Sequence, residues 1–202
     1  EALGLDYRYL AFDVNEETLP TAVAGLKVLG ARGFNLTMPD KNLMVSLCDE
    51  LSTAARIIGA VNTVVNEDGR LIGHNTDGIG YMQSVKDAGY DIIGKKMTLL
   101  GAGGAATAIL VQAALDGLKE ISVFVRPTSR FYDRLVHTVD ELTEITDCRI
   151  RICDFSDADL LKKELADSAI LTNGTSVGMA PHEDTCPIPE NLTFPKDLIV
   201  SD

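Results

Sequence analysis

The chain has 202 residues, 46% hydrophobic and 24% charged, enough for one large or two small domains with a real core. Its net charge of −12 argues against a nucleic-acid partner, whose phosphates call for Lys and Arg, but leaves a small substrate open, because a site can be locally basic on an acidic protein. No apolar run approaches the length of a membrane span, and no signal-like segment opens the chain.

The first residues, Glu1-Ala2-Leu3-Gly4, read as the end of a helix. Residues 7–14 follow as a strand, rich in aromatic and branched side chains. Leu19, Val23, Leu26 and Leu29 form a helical stripe over residues 19–29. Residues 33–37 read as a short strand closed by Pro39. Residues 41–51 read as a helix, with Leu43, Met44 and Leu47 on one side. Residues 60–66 and 70–73 are two strands joined at Asp68-Gly69, a strong hairpin dipeptide. Residues 77–88 are a helix with Asp77 near its start, where a carboxylate meets the positive helix end.

The pattern then changes. Strands at 97–100, 120–125, 149–153, 169–172 and 199–200 alternate with helices at 103–117, 131–145 and 158–166. Such alternation predicts a parallel sheet with right-handed crossovers, in which the segment 89–94 separates two domains, 1–90 and 91–202. The fold class is therefore α/β: a small α/β domain followed by a Rossmann-like, doubly wound parallel sheet. The final strand has nothing after it, so the sequence reads as a piece of a longer chain. Cys48, Cys148, Cys153 and Cys186 form no C-x-x-C pair, so no metal site is expected, and they read as reduced thiols of a cytoplasmic protein.

Two segments carry chemistry. Leu99-Leu100-Gly101-Ala102-Gly103-Gly104-Ala105-Ala106 lies between an apolar strand and an Ala-rich helix, the context a dinucleotide turn requires. Gly101 permits the tight turn, Gly103 lets the backbone approach a pyrophosphate, and Ala106 stands at the third, close-packing position. A Gly-rich turn of an unrelated α/β fold is the plain alternative. The next strand ends Phe124-Val125-Arg126-Pro127-Thr128-Ser129-Arg130, with no acid to hold a ribose 2′-hydroxyl. Arg126 and Arg130, with the hydroxyls of Thr128 and Ser129, can cradle a 2′-phosphate, which favours NADP. Arg126 can also stack on adenine, so NAD stays open. The run Asn173-Gly174-Thr175-Ser176-Val177-Gly178-Met179 follows a strand and belongs at the carboxyl edge of the sheet, as a ligand contact or a plain polar loop.

In the first half, Lys41 and Asp77 are the two groups able to pass a proton. Each alone reads as an ordinary surface lysine or a helix cap. Both sit in loops rich in Asn, Thr and Gly, which suit a polyhydroxylated ligand, and a helix beginning at Lys41 would lower its pKa. A dehydrogenase acting on an alcohol needs such a group at the oxygen while hydride moves on carbon.

Gly33-Phe34-Asn35-Leu36-Thr37-Met38-Pro39-Asp40-Lys41 resembles the G-x-N-V-T-x-P-x-K segment of shikimate dehydrogenases. Gly59-Ala60-Val61-Asn62-Thr63, Asn75-Thr76-Asp77-Gly78-Ile79-Gly80 and Gly101-Ala102-Gly103-Gly104-Ala105 are similar to three further signatures in the same order. The 173–179 run is similar to the N-x-T-x-x-G-M loop. The stretch after Gly117 looks closest to the quinate/shikimate branch. The resemblance implies reversible reduction of 3-dehydroshikimate to shikimate in the chorismate and aromatic amino acid pathway, with quinate oxidation by NAD or either cofactor as the alternative. It implies Lys41 as the acid/base residue with Asp77 its partner, and Thr37, Asn62 and Tyr9 around the substrate. It implies cofactor contacts at Gly101, Ala102, Gly103, Gly104, Ala105, Arg126, Thr128, Ser129, Arg130, Thr175, Ser176 and Val177. The expected partners are small molecules only, with no nucleic acid and no membrane, for a monomer or homodimer. The family's Ser-x-Ser motif and Gln-containing C-terminal helix are absent from this sequence, Val125-Arg126-Pro127 replaces the usual Asn-Arg-Thr, and Ser176 replaces the branch's Lys. A silent homologue that only binds a nucleotide or metabolite is the alternative of another class.

Overall fold

The structure is a computed structural model that describes residues 4, 6–180, 183–189 and 192–202. The helix end read at the start of the sequence falls mostly on residues 1–3, outside the described residues. Among the described residues, helices α1 (Leu19–Val28), α2 (Thr53–Ile58), α3 (Asp77–Asp87), α4 (Gly104–Leu115), α5 (Tyr132–Ile145) and α6 (Ala158–Leu165) accompany nine strands. Strands β1 (Gly33–Asn35), β2 (Glu50–Leu51), β3 (Thr63–Glu67) and β4 (Arg70–His74) form a small sheet in the order β1-β3-β4-β2. Strands β5 (Lys96–Leu100), β6 (Glu120–Val125), β7 (Arg149–Asp154), β8 (Ile170–Asn173) and β9 (Ile199–Ser201) form an all-parallel sheet in the order β7-β6-β5-β8-β9.

The Asp68-Gly69 turn joins β3 and β4 as an antiparallel hairpin, with φ of 52° and 90° at its two residues. Positive φ at both loop positions matches strand twist, which is why this dipeptide works there. Alternating side chains split the parallel sheet between two cores. Leu99, Ile121 and Val123 meet α4 and α5 on one face, and Leu100, Phe124 and Leu171 meet Leu161 and Leu165 of α6 on the other. The first of these cores also takes in Ala54, Ile57 and Ile58 of α2 and Met82 and Val85 of α3, so both helices are packed onto the cofactor sheet. The small sheet has its own core of Leu19, Val23, Met44, Val61, Val64 and Leu71.

Three expectations need correction. Residues 7–14 carry no strand. Their β-forming side chains find no ladder partner, and Tyr7, Tyr9, Leu10 and Phe12 are exposed. Residues 41–51 are not an α-helix: a 3₁₀ turn over Leu43–Leu47 leads into β2. Met44 is fully buried there and β2 pairs in parallel with β4, so sheet contacts override the apparent helical stripe. Helix α2 was not expected at all. Ser52 caps it by accepting the Ala55 N–H, and Gly59 ends it in the left-handed region at φ 61°.

Candidate active site

Lys41 follows β1 on a loop whose Met38–Pro39 peptide is cis. The loop is stapled to the α2–β3 connection, where Val61 N–H donates to the Lys41 carbonyl at 2.8 Å and the Asn42 amide donates to the Gly59 carbonyl. Asp77 is the first residue of α3, and its cap position is Thr76, which makes no side-chain cap bond. Asp77 is thus not an N-cap. Its carboxylate turns to the loops instead: Lys41 Nζ lies 2.9 Å from Oδ2, and Asn62 Nδ2 donates to Oδ1 at 2.8 Å. The α-helix expected to start at Lys41 is absent, and with it the helix field expected to act on that lysine.

The orientation of Asn62 is dictated by its other partners. The Thr76 backbone N–H donates to Asn62 Oδ1 at 3.0 Å, and the hydroxyls of Thr76 and Thr63 donate to it as well. A backbone N–H can only donate, so Oδ1 faces Thr76 and the amide NH₂ faces Asp77. Asn62 is 8% exposed, which makes this arrangement costly to disturb. The Asp77 N–H bonds to Asn75 Oδ1, and the Asn75 amide bonds to the Ala60 carbonyl, which ties the start of α3 to the small sheet. Tyr9 is exposed but reaches the same cluster, donating to Asn35 Oδ1 at 3.2 Å, while Asn35 donates to Thr63 Oγ1 at 3.0 Å. Thr37 lies exposed on the Lys41 loop. The structure therefore brings Lys41, Asp77, Asn62 and Tyr9 into one hydrogen-bonded cluster. Asn35, Asn75, Thr63 and Thr76 complete it. These four were quoted within motifs, but nothing in their spacing marked them as connectors.

The cofactor turn has open room where a phosphate would approach. Gly103 and Gly104 begin α4 without a side-chain cap, and a Cβ at either would meet nothing within 4 Å. The free N–H groups of that helix start are a ready anion site. Gly101 has φ of 100°, and a Cβ there would lie 2.9 Å from Thr175 Cγ2. A Cβ on Gly174 would likewise lie 2.7 Å from that of Ala106, so the Gly-rich turn and the Asn173–Thr175 loop are pressed together. Asn173 shapes that loop by accepting the Thr175 N–H and hydroxyl and by donating to Asp202 and to the Val177 carbonyl. After β6, Arg126 to Ser129 fold into a turn with the Ser129 N–H on the Arg126 carbonyl at 2.8 Å. Arg126, Thr128 and Arg130 are exposed, and Arg130 lies over the Phe131 ring at 4.7 Å. The Arg126 guanidinium has no ion-pair partner among the described residues, which leaves it available to a phosphate. The residues present thus fit a phosphorylated dinucleotide. Among the described residues, no group of three His, Cys, Asp or Glu is placed to hold a metal.

A parallel sheet with a glycine turn at its carboxyl edge, together with a Lys–Asp pair formed between the loop after β1 and the start of α3, has the make-up of a nicotinamide-dependent oxidoreductase. A family model described as the shikimate dehydrogenase substrate binding domain matches residues 1–64. The chain is 52% identical over 200 residues to a shikimate dehydrogenase (NADP(+)) of Listeria monocytogenes, covering 99% of this chain and 68% of the relative. A crystal structure of shikimate 5-dehydrogenase from Listeria monocytogenes, in complex with shikimate and NAD, superposes with a TM-score of 0.94 over all of this chain and 69% of that one, at 52% identity. A 5-ketofructose reductase of Gluconobacter sp. strain CHM43 is 33% identical with a TM-score of 0.82, over 98% and 69% of the two chains. The chain belongs to the shikimate dehydrogenase family.

Proposed function

We propose that this protein carries out the reversible NADP-dependent interconversion of 3-dehydroshikimate and shikimate, with Lys41 as its acid/base group. The observation that carries this reading is the 2.9 Å contact between Lys41 and Asp77, held from the far side by Asn62. When bound, the nicotinamide supplies or accepts the hydride on carbon. In the direction of reduction, the Lys41 ammonium gives a proton to the substrate oxygen as negative charge builds there. In oxidation, the neutral amine removes the hydroxyl proton. Asp77 Oδ2 holds Nζ in place, and Asn62 keeps Oδ1 from turning away. Thr37, Asn62 and Tyr9 bind or order the ring hydroxyls.

Gly101 to Ala105 would hold the cofactor at its pyrophosphate and Arg126, Thr128, Ser129 and Arg130 at a 2′-phosphate, with Thr175, Ser176 and Val177 as a further contact. The exposed, unpaired Arg126 at a strand end that lacks an acid supports NADP over NAD. Residues 1–90 form the substrate-binding domain and 91–202 the nucleotide-binding domain. Four free thiols support a cytoplasmic setting. No helix among the described residues is long and apolar enough to cross a membrane. Absorbance of the reduced nicotinamide, with shikimate or quinate and with NADP or NAD, tests the reading. Fastest turnover with shikimate and NADP is expected; turnover confined to quinate and NAD, or none, would contradict it.

A further inference from the structure

Asp77 and Tyr81 are one helical turn apart on α3. At the Asp77 end, Gly78 lies against α4 so closely that a Cβ would be 2.6 Å from Gln112 Cβ and would also collide with the Ala108 carbonyl oxygen. One turn on, the half-buried Tyr81 hydroxyl lies 2.5 Å from Thr172 Oγ1 on β8. Ser201 of β9 pairs with Thr172 in the strand register. The residue after Thr172 is Asn173, the base of the loop that presses on Gly101 and Ala106.

A short path without slack therefore runs from Asp77 through Tyr81 and Thr172 to the cofactor turn. Lys41 is held through Val61 on the α2–β3 connection, and Asp77 is tied to the same connection through Asn62 and Asn75. The helix bearing Asp77 is thus anchored at both ends of this path and must be set correctly against each.

We propose that Tyr81 is a positioning residue whose hydroxyl, seated on Thr172, registers the Asp77 helix against the carboxyl edge of the cofactor sheet. The proposal rests on the shikimate dehydrogenase reading for its kinetic consequence, but not for the joint itself. A structural phenol would need only some partner for its O–H. This one is bonded to the strand that leads directly into the cofactor loop, and it sits one turn from the carboxylate that holds Lys41. Hydride and proton transfer both depend on sub-ångström placement, so loosening this joint lowers turnover rather than affinity.

The test uses Tyr81→Phe in the intact protein, which keeps the ring and removes the hydroxyl. Turnover with shikimate and NADP is expected to fall about 3- to 10-fold with both KM values unchanged, the loss of roughly one hydrogen bond. The isotope effect from shikimate deuterated at the reacting carbon is expected to rise. Hydrogen exchange at amides 78–82 is expected to quicken while β5 and β6 stay as protected as in the wild type. Thr172→Val should reproduce these changes and Thr172→Ser should not. Unchanged turnover and exchange in Tyr81→Phe would overturn the proposal. So would faster exchange throughout β5 and β6, the mark of a merely structural role. If the wild-type protein fails to oxidise shikimate, the functional reading falls, and the exchange data still decide whether the joint exists.

Discussion

Both carboxylate oxygens of Asp77 are engaged, one by Lys41 and one by Asn62, and this leaves the lysine with a defined direction as well as a charge partner. A salt bridge between exposed side chains contributes little to stability, and Asp77 is 44% exposed in this pair. The arrangement is better understood as placement of a proton donor than as a source of folding energy. Arg126 makes a complementary residue-scale prediction. Its guanidinium is exposed and makes no ion pair among the described residues, so Arg126→Ala breaks no salt bridge. A charged hydrogen bond to phosphate is worth about 1.5–3 kcal/mol. The KM for NADP should therefore rise about 10- to 150-fold. The KM for shikimate and the melting temperature should stay the same. Steady-state kinetics with each cofactor checks this, and an equal loss with NAD would argue against a 2′-phosphate contact.

At the scale of elements, a buried ion network ties the parallel sheet to α6. Lys96 Nζ contacts Glu164 at 2.7 Å, Asp167 at 2.6 Å and Glu120 at 3.5 Å, and the Ser122 hydroxyl donates to Glu164 at 2.6 Å. Burial opposes the charge on Glu164, but Lys96, Ser122 and Arg151 outweigh it and hold its pKa below the usual carboxylate value. Burial likewise opposes the charge on Lys96, and Asp167 and Glu164 outweigh it and raise that pKa. A depressed acid stabilises the fold above its unfolded pKa and loses that contribution as pH falls through the folded one. A raised base stabilises below its unfolded pKa and loses it as pH rises through the folded one. The network thus supports the fold across neutral pH and fades at both extremes. Glu164→Gln should lower neutral stability by about 1.5–3 kcal/mol, since Lys96 keeps Asp167 and Glu120 but loses a charged hydrogen bond to its most buried partner. It should also flatten the acid limb of denaturant stability against pH, whereas an unchanged acid limb would show that Glu164 is not the group titrating there.

The elements that were legible in the sequence are those with a local cause. The Asp68-Gly69 hairpin, the β5–Gly101–α4 unit and the later alternation of strands and helices follow from turn chemistry and periodicity alone. Residues 7–14 and 41–51 were misread because their outcome depends on ladder partners and on the burial of Met44, which are non-local. Helix α2 is six residues long, too short for a periodic stripe, although Ser52 and Gly59 mark its two ends. Within the site, Lys41 and Asp77 were legible as chemistry and Asn62 as a contact. The orientation that aims the Asn62 amide at Asp77, and the seat of Tyr81 on Thr172, arise from residues 14 to 91 positions apart and have no local signal.

For the molecule as a whole, the central feature is the meeting of two sheets at one reactive pair. The small sheet carries Lys41, the helix packed on the parallel sheet carries Asp77, and the glycine turn that fits a dinucleotide lies at the carboxyl edge of the same parallel sheet. The chain spans 68% of the length of its Listeria relative. The decisive measurement is the turnover of Lys41→Ala with shikimate and NADP in the intact protein, alongside cofactor binding followed by nicotinamide fluorescence. Loss of a general acid/base group should reduce kcat by about 10²- to 10⁴-fold while NADP still binds as in the wild type. Turnover within a fewfold of wild type would contradict the assignment of Lys41 as the proton-transfer group.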